Sequence, residues 1–385
     1  MGNNDKETKL ILEDGSKFIG KSFGAEKDAV GEVVFNTGMV GYVEALTDPS
    51  YKGQILVFTY PLVGNYGVPP LERDKNEILK YFESEKIQVL GLIISDYSKD
   101  YSHWNAVKSL GDWLRNEGIP ALFGIDTRKL TVKLREKGTI FGGIYFGNSE
   151  SNVSFKKTRD EQSEQTFLND IGVKSPVVYN AENKSVVYNA ENKSKILVID
   201  CGVKNSILLS LLNRGADAIR VPWGYNFLDG EYAYDGILIS NGPGDPKLYE
   251  KTIKHVKKTL EANIPIFGVC LGNQLLALAS GGNTYKLKYG HRSQNQPCTL
   301  SGTNCCYITS QNHGYAVDIK SLGKAWEPWF INANDGSNEG IKCKARDYIF
   351  SVQFHPEANP GPTDTGFLFD LFLKKVKEKT YGAVK

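Results

Sequence analysis

Cys270 and His355 are the residues of this chain best suited to covalent chemistry. Cys270 stands in the segment Gly268-Val269-Cys270-Leu271-Gly272, after an apolar strand pattern and before an apolar helical run. This order is typical of a nucleophile elbow, in which a sharp turn between a strand and a helix holds the nucleophile. The helix that follows would aim its backbone N–H groups at the sulfur, and this favours a thiolate and an oxyanion site.

His355 precedes Pro356-Glu357 at the end of a later strand pattern. On an extended chain, residues two apart point to the same side, so Glu357 can orient His355. His355 could then serve Cys270 as base and acid. Taken singly, a cysteine among apolar residues is usually a small buried hydrophobe, and a histidine before a proline is usually a loop residue. The combination of the three residues nevertheless favours a catalytic site.

Composition and charge narrow the class of protein. The 385 residues are 41% hydrophobic and 23% charged, with a formal net charge of +2, which is ordinary for a globular protein. We therefore predict no nucleic-acid partner, no membrane partner and a small polar substrate. The six cysteines form no CxxC pair and no zinc spacing. The sequence thus predicts no metal site and a reducing, cytoplasmic compartment.

The chain divides by pattern into three parts. Residues 1–150 contain short strand patterns and two helical patterns, at 104–117 and 128–137, and are predicted to form a sheet-rich α/β domain. Residues 151–194 are polar and are predicted to be a linker. Within this linker the nine residues 177–185 recur unbroken as 186–194, and one copy is a candidate edge strand.

Residues 195–385 alternate strand and helix patterns, with apolar strands at 195–200, 236–240 and 265–270. This alternation predicts a doubly wound, mostly parallel sheet, so the fold class is α/β. Reactive groups in such a sheet lie at the carboxyl ends of the strands. Cys270, the loop after Ser240 and His355 all follow strand patterns, so we expect them to meet at one edge.

A rigid, glycine-rich and proline-rich loop, Ser240-Asn241-Gly242-Pro243-Gly244-Asp245-Pro246, follows one of these strands. Together with the segments around Cys270 and His355, it resembles class I, triad-type glutamine amidotransferases, whose domain is flavodoxin-like. The N-terminal half resembles the small subunit of carbamoyl phosphate synthetase. The segments that carry this second resemblance are residues 12–15, 31–42, 46–51, 60–67, 102–104, 124–128 and 310–315.

The resemblance implies roles for individual residues. Cys270 would be the nucleophile that attacks the side-chain amide of L-glutamine, His355 would carry the proton, and Glu357 would orient His355. Backbone N–H groups of Gly242 and Leu271 would form the oxyanion hole. The residues implied to hold L-glutamine are Ser50, Gly242, Gly244, Leu271, Gln274, Asn312, Gly314 and Tyr315. Ser50 comes from the N-terminal domain, which would place the substrate near the domain interface.

The resemblance also implies a partner. Hydrolysis of glutamine through a Cys270 thioester would yield glutamate and ammonia, and the ammonia would pass to a large synthetase subunit or domain. That part would use ATP, Mg and bicarbonate to form carbamoyl phosphate for pyrimidine or arginine synthesis. This chain has no P-loop, so no cofactor is expected in it. Whether it is a free subunit or part of a fusion enzyme stays open.

Two positions depart from the family pattern. Asn273 stands where many relatives carry histidine, and Tyr315 where bacterial relatives carry phenylalanine; we expect tuning rather than loss of activity. Three alternatives remain beside the glutaminase. They are a non-catalytic docking module that kept the fold, an amidotransferase serving another synthase, and a cysteine protease or hydrolase of γ-glutamyl peptides. The triad argues against the first alternative, residues 1–150 against the second, and the loop at Gly242 against the third.

Overall fold

The computed structural model describes residues 7–147, 155–163, 165–180 and 193–382. The chain separates into two compact units, Met1–Phe167 and Leu168–Lys385, each with its own core. None of the described helices combines the length and the apolar composition needed to cross a bilayer. All six cysteines are free thiols.

In its described residues, the first unit has nine strands and four α-helices. The strands are β1 (Glu7–Leu12), β2 (Lys17–Ser22), β3 (Ala29–Asn36), β4 (Gln54–Phe58), β5 (Leu62–Val63), β6 (Gly91–Ile93), β7 (Asp96–Tyr97), β8 (Ala121–Phe123) and β9 (Ile140–Phe146). The helices are α1 (Tyr42–Thr47), α2 (Leu110–Asn116), α3 (Thr127–Lys137) and α4 (Phe155–Ser163), with a 3₁₀ turn at Pro49–Tyr51.

Seven of these strands close into a barrel in the order β1-β2-β8-β6-β4-β3-β9. The strands β3, β4, β6 and β8 run parallel to their neighbours in that run, and the remaining pairs are antiparallel. Val34, Leu56 and Leu92 are fully buried on these strands and belong to one hydrophobic cluster. The prediction of a sheet-rich α/β first domain is therefore confirmed.

The helix predicted over 104–117 is shorter than its apolar pattern indicated. It begins at Leu110, because the Ser109 hydroxyl accepts a hydrogen bond from the Asp112 backbone N–H at 3.1 Å and caps the first turn. Val107, an apolar position of the predicted amphipathic helix, is 56% exposed, and Trp104, where that helix was predicted to begin, is 87% exposed. The helix predicted over 128–137 is confirmed as α3, capped by Asp126.

The part of the second unit that the structure describes contains ten strands and four α-helices. The strands are β10 (Val177–Tyr179), β11 (Lys195–Asp200), β12 (Asp217–Pro222), β13 (Gly236–Ile239), β14 (Ile266–Val269), β15 (Asn283–Leu300), β16 (Cys306–Asp318), β17 (Trp326–Asn332), β18 (Asn338–Cys343) and β19 (Arg346–Val352). The helices are α5 (Asn205–Leu212), α6 (Glu250–Glu261), α7 (Leu271–Ala279) and α8 (Phe367–Tyr381), with 3₁₀ turns at Gln165–Asp170, which spans the unit boundary, Pro246–Leu248 and Ile319–Ser321.

One ten-stranded sheet runs through this unit in the order β10-β12-β11-β13-β14-β19-β18-β17-β15-β16. The five strands from β12 to β19 in that order are parallel, and helices lie between most of them along the chain, although β13 follows β12 directly. The strands β18, β17, β15 and β16 extend this core as an antiparallel sheet, which the sequence pattern did not predict. The α/β fold class is confirmed, with a parallel core rather than a parallel sheet throughout.

The described part of the predicted linker includes three elements, since α4, the 3₁₀ turn at Gln165–Asp170 and β10 all fall within residues 151–194. The strand β10 starts the first copy of the repeated nonapeptide and pairs antiparallel with β12 at the sheet edge. Residues 181–192, which hold most of the duplication, lie outside the described residues. The predicted domain boundaries stay a prediction.

Candidate active site

Cys270 occupies a strained turn between β14 and α7. Its backbone has φ 55° and ψ −103°, a conformation that costs a residue with a side chain about 1–3 kcal/mol. Close packing around the turn explains the neighbouring glycine, because a Cβ on Gly272 would lie 2.1 Å from the Ile239 carbonyl oxygen of β13. The nucleophile elbow predicted from the sequence is therefore present, with Leu271 as the first residue of α7.

Cys270 is 2% exposed, and its thiol has polar neighbours besides His355. It donates to the backbone carbonyl of Asn312 at 3.7 Å, and it accepts a hydrogen bond from Nε2 of Gln353 at 3.7 Å. Sequence reasoning missed Gln353, which is fully buried just after β19. Gln353 could have been identified as a candidate site residue because it lies between the end of a predicted strand and His355.

His355 lies beyond the strand on which we predicted it. The strand β19 ends at Val352, and His355 instead forms an isolated bridge with Ser310, whose carbonyl accepts the His355 N–H at 2.8 Å. The prediction that His355 and Glu357 lie on a strand and therefore share one of its sides was wrong. The turn nevertheless brings Nδ1 of His355 to 2.7 Å from Oε1 of Glu357.

The second ring nitrogen of His355, Nε2, is available to interact with the Cys270 thiol. Nε2 is buried and makes no hydrogen bond with any residue in the described part of the chain. Burial would lower the pKa of His355, but the Glu357 carboxylate and the neighbouring Cys270 sulfur outweigh it and raise the pKa to about 10. The imidazole is therefore held in its charged form at neutral pH.

A buried lysine, which sequence reasoning missed, completes the array. Nζ of Lys204 lies 3.0 Å from Oε1 of Glu357 and donates to the carbonyls of Ala358 and Asn359 at 2.9 and 3.0 Å. Burial would raise the pKa of Glu357, but Lys204 and then His355 lower it to about 2. The signal in the sequence was a lysine between an apolar strand and the helix α5, at the sheet edge that carries the other groups.

Loss of the Lys204 ammonium should destabilise the fold. Lys204→Met leaves the Glu357 carboxylate buried without its cation, and we expect urea unfolding to show a loss of about 3–5 kcal/mol. Lys375→Met is the matched control, because its partner Asp347 is largely exposed and such pairs contribute about 1 kcal/mol or less. Adding Glu357→Gln to Lys204→Met should recover part of the loss. A cost for Lys204→Met no larger than that of the control would contradict this account.

The raised pKa of His355 leads to a second prediction, which concerns the pH dependence of stability. With a folded pKa near 10 and an unfolded pKa near 6.5, His355 contributes stability that is complete below pH ~6.5 and is lost as the pH rises through about 10. In Glu357→Gln the burial remains while the carboxylate is gone, so the pKa of His355 should fall from its value in the unmodified chain. Ring ¹⁵N shifts of His355 in both proteins measure this. An unchanged pKa in the variant would refute the role of Glu357.

Several of the predicted glutamine-binding residues meet around the elbow. Nε2 of Gln274 donates to the carbonyl of Tyr315 at 2.9 Å, which joins α7 to β16. A Cβ on Gly242 would lie 2.0 Å from the Cys201 carbonyl and 2.8 Å from Cδ2 of Leu271, so the loop after β13 passes close to the start of α7. The N–H of Leu271 opens a helix and has no partner four residues earlier within it, as an oxyanion donor requires.

The remaining predicted binding residues are placed less directly. Gly314 lies in β16 between Asn312 and Tyr315, and Gly244 lies exposed in the loop after β13. Ser50 belongs to the first unit, where its backbone N–H donates to Oδ1 of Asp48 at 2.9 Å in a buried 3₁₀ turn. The assignment of all these residues to glutamine stays a prediction.

Asn273 is linked to Cys270 through one intervening side chain. Its side chain is fully buried, accepts from the hydroxyl of Ser351 at 2.8 Å and donates to Oε1 of Gln353 at 3.1 Å. Since Gln353 in turn donates to the Cys270 sulfur, Asn273 acts on the nucleophile through one intervening amide. This geometry agrees with a tuning role.

The chain matches two protein-family models, one within each of its two compact units. Residues 10–144 match the family described as "Carbamoyl-phosphate synthase small chain, CPSase domain", and residues 197–375 match "Glutamine amidotransferase class-I". A solved glutamine amidotransferase from Thermotoga maritima shares 17% identity over 50% of this chain and 87% of its own, with a TM-score of 0.36.

Two relatives show different chain organisations. The arginine-specific small chain of carbamoyl phosphate synthase from Neosartorya fischeri is 48% identical over 370 residues, which are 96% of this chain and 80% of that relative. The multifunctional protein URA2 of Saccharomyces cerevisiae is 47% identical over 400 residues, which cover 99% of this chain. This chain spans only 18% of the length of URA2.

Proposed function

Because this chain belongs to the carbamoyl phosphate synthase small-chain family, we propose that it is the glutaminase component of a glutamine-dependent carbamoyl phosphate synthase. The observation that supports this most is the array at the elbow. It consists of a buried thiol at a strained turn, an imidazole whose free nitrogen is available to it, and the Glu357 carboxylate 2.7 Å from the other nitrogen of His355. These are the parts that acyl transfer from a poor electrophile requires.

In the proposed reaction, the Cys270 sulfur attacks the side-chain amide carbon of L-glutamine and forms a carbon–sulfur bond. The imidazolium of His355 stabilises the attacking thiolate. The backbone N–H groups of Gly242 and Leu271 stabilise the oxyanion, and a lost donor would cost roughly 10²–10³ in rate. His355 then gives its proton to the leaving nitrogen, and the carbon–nitrogen bond breaks to release ammonia.

The thioester is hydrolysed in the second half of the reaction. His355, now neutral, takes a proton from water as the water oxygen attacks the acyl carbon. The carbon–sulfur bond breaks, glutamate leaves and the thiolate–imidazolium pair returns. Glu357 keeps the same imidazole orientation throughout, because Lys204 holds its carboxylate in place. No cofactor of this chain is required, and ATP, Mg and bicarbonate would serve the synthetase part.

We propose a large synthetase subunit, or a fused synthetase domain, as the partner that consumes the ammonia. The small-chain family itself supports such a partner, and relatives of both organisations exist. Carbamoyl phosphate made this way would feed pyrimidine or arginine synthesis, the processes associated with the predicted family. The six free thiols are compatible with the proposed cytoplasmic location.

Coupled activity tests this proposal. Ammonia release from L-glutamine is measured for the chain alone and with a carbamoyl phosphate synthetase large subunit, ATP and bicarbonate. We expect hydrolysis that rises when the partner and its substrates are added, together with glutamine-dependent formation of carbamoyl phosphate.

The other outcomes separate the alternatives. Hydrolysis that no large subunit stimulates would favour an amidotransferase of another synthase or a free hydrolase. No hydrolysis by a folded chain in either setting would support the non-catalytic docking module. Circular dichroism of the same preparation decides whether the chain is folded.

A further inference from the structure

A second cluster of ionisable side chains lies in the antiparallel part of the sheet, outside the proposed triad. His291 comes from β15, His313 from β16 and Glu339 from β18, and all three are buried. Nδ1 of His291 is 3.3 Å and Nε2 of His313 is 3.9 Å from Oε1 of Glu339. The proposed glutamine chemistry uses none of these three groups.

The outward nitrogen of each histidine is already bound to an acceptor. Nε2 of His291 lies 2.8 Å from Oδ2 of Asp335, and Nδ1 of His313 lies 2.9 Å from the carbonyl of Tyr315. A neutral imidazole carries a single N–H; with that proton on the outward nitrogen of each ring, both lone pairs face Glu339. Histidine ligands of metal ions are usually oriented by outer partners of this kind.

Acceptor atoms therefore converge at the centre of the cluster. Oε1 of Gln311 adds a further acceptor, 3.1 Å from Nε2 of His313, because its amide nitrogen donates to Thr309 and Cys298. Oε1 of Glu339 accepts hydrogen bonds from the amide of Asn332 at 3.1 Å and from the hydroxyl of Ser337 at 3.5 Å. Oε2 of Glu339 is buried with no hydrogen-bond partner in the described part of the chain. Facing acceptors repel one another unless a cation lies between them.

We propose that His291, His313 and Glu339 form a binding site for a divalent transition-metal ion of the Zn²⁺ type. Two imidazoles and one carboxylate are an established ligand set for zinc. With zinc–ligand bonds of about 2.0–2.2 Å, tetrahedral donor atoms lie roughly 3.4 Å apart. His291 and Glu339 already have this spacing, and the remaining separations must shorten by at most about 1.4 Å. The sequence pattern predicted no metal site because the three ligands come from three strands.

The bound ion would fix the strand that is predicted to hold glutamine. His313 stands between Asn312 and Gly314, and His291 is its direct cross-strand neighbour. A metal that joins β15, β16 and β18 would hold this segment next to Cys270, whose thiol donates to the carbonyl of Asn312. The competing occupant is a proton: a doubly protonated His291 would also bridge Asp335 and Glu339, but it leaves Oε2 of Glu339 unpaired.

Zinc binding by the chelator-treated full chain tests the proposal without using glutamine, so its result is independent of the proposed activity. Cys305→Ser and Cys306→Ser are introduced first, because these exposed thiols could bind the metal themselves. Titration with Zn²⁺ alone should show one site per chain and a higher unfolding temperature. His291→Ala and Glu339→Gln should abolish this binding.

Two further variants sharpen the test. Asp335→Asn removes only the outer partner of His291 and should weaken Zn²⁺ about 10–100-fold. His103→Ala, an exposed histidine of the first unit, should change nothing.

X-ray absorption of the zinc-loaded chain with the two serine substitutions gives a readout that requires no ligand variant to fold. A shell of nitrogen and oxygen ligands with imidazole scattering supports the site, and sulfur ligation overturns it. Absence of stoichiometric binding to the folded chain, or binding that survives Glu339→Gln, also overturns the proposal and assigns the cluster to a protonated His291.

Discussion

Cys270→Ser should reduce glutamine hydrolysis by a factor on the order of 10⁶ while the protein stays folded. The size follows from the role of the sulfur, since removing the nucleophile of a triad costs about as much as removing the whole triad. A serine hydroxyl has a much higher pKa than a thiol, so the imidazolium beside it cannot maintain an alkoxide. The side chains are close in size, and the site is 2% exposed, so little repacking is expected. Steady-state ammonia release measures the loss.

Cys305→Ser is the matched control for this substitution, because Cys305 is an exposed thiol elsewhere in the second unit. We expect its rate to equal that of the unmodified chain. The Cys270→Ser protein should still receive exogenous ammonia normally when it is assembled with a large subunit, since that route bypasses the thiol. If Cys270→Ser kept more than about a hundredth of the glutaminase rate, nucleophilic catalysis by Cys270 would be excluded.

His355→Asn should produce a loss of similar size in kcat, with the binding of glutamine retained. His355 contributes by moving a proton and stabilising the thiolate, so its removal raises the energy of the transition state and not that of bound glutamine. The buried charge of Glu357 keeps Lys204 as its partner in this variant, so the turn should persist. Turnover assays report kcat, and calorimetric titration with glutamine reports the dissociation constant of the inactive protein.

His103→Asn is the corresponding control, because this exposed histidine belongs to the first unit and should leave both quantities unchanged. A His355→Asn variant that lost glutamine binding and turnover together would assign His355 to substrate binding or to folding. A variant that retained turnover would require another base, and the proposed mechanism would be wrong.

The chemistry of the site was accessible from the sequence because its key groups lie in local patterns. The glycines at 268 and 272 are needed because the backbone packs closely around the turn between β14 and α7. The apolar runs between residues 195 and 270 indicate the buried strands that lead to such turns. Cys270 could therefore be placed at a strand end before the structure was known. The parallel core was predicted for the same reason, since four of its five strands, all except β12, are followed by a helix in the described chain.

Features that depend on tertiary contacts were not accessible. Lys204 contacts the triad from a distant segment, and Gln353 reaches Cys270 from a position 83 residues away in the sequence; no local pattern distinguishes either residue from other polar residues at strand ends. His355 was placed on a strand because its apolar neighbours continue the alternation of β19, although pairing with Ser310 outside the strand determines its position. The prediction that the helix extends before Leu110 was wrong for a similar reason. The apolar pattern is present there, but the cap at Ser109 determines where the helix begins.

The antiparallel half of the second sheet was missed for a different reason. The long strands β15 and β16 contain polar and glycine residues throughout, and their pairing shifts register at two places, so alternation along them is broken. Two of the three ligands of the proposed metal site, His291 and His313, lie on these strands. Its ligands become neighbours only through that cross-strand pairing.

The most direct test of the central claim is capture of the acyl-enzyme. The chain is mixed with L-glutamine, quenched in acid during turnover and digested, and the mass of the peptide that contains Cys270 is measured. The account predicts a γ-glutamyl adduct on Cys270 that accumulates in the wild-type chain and is absent from Cys270→Ser. Glutamine hydrolysis that proceeds with no adduct on Cys270 under any quench time, or with an adduct on another residue, would contradict it.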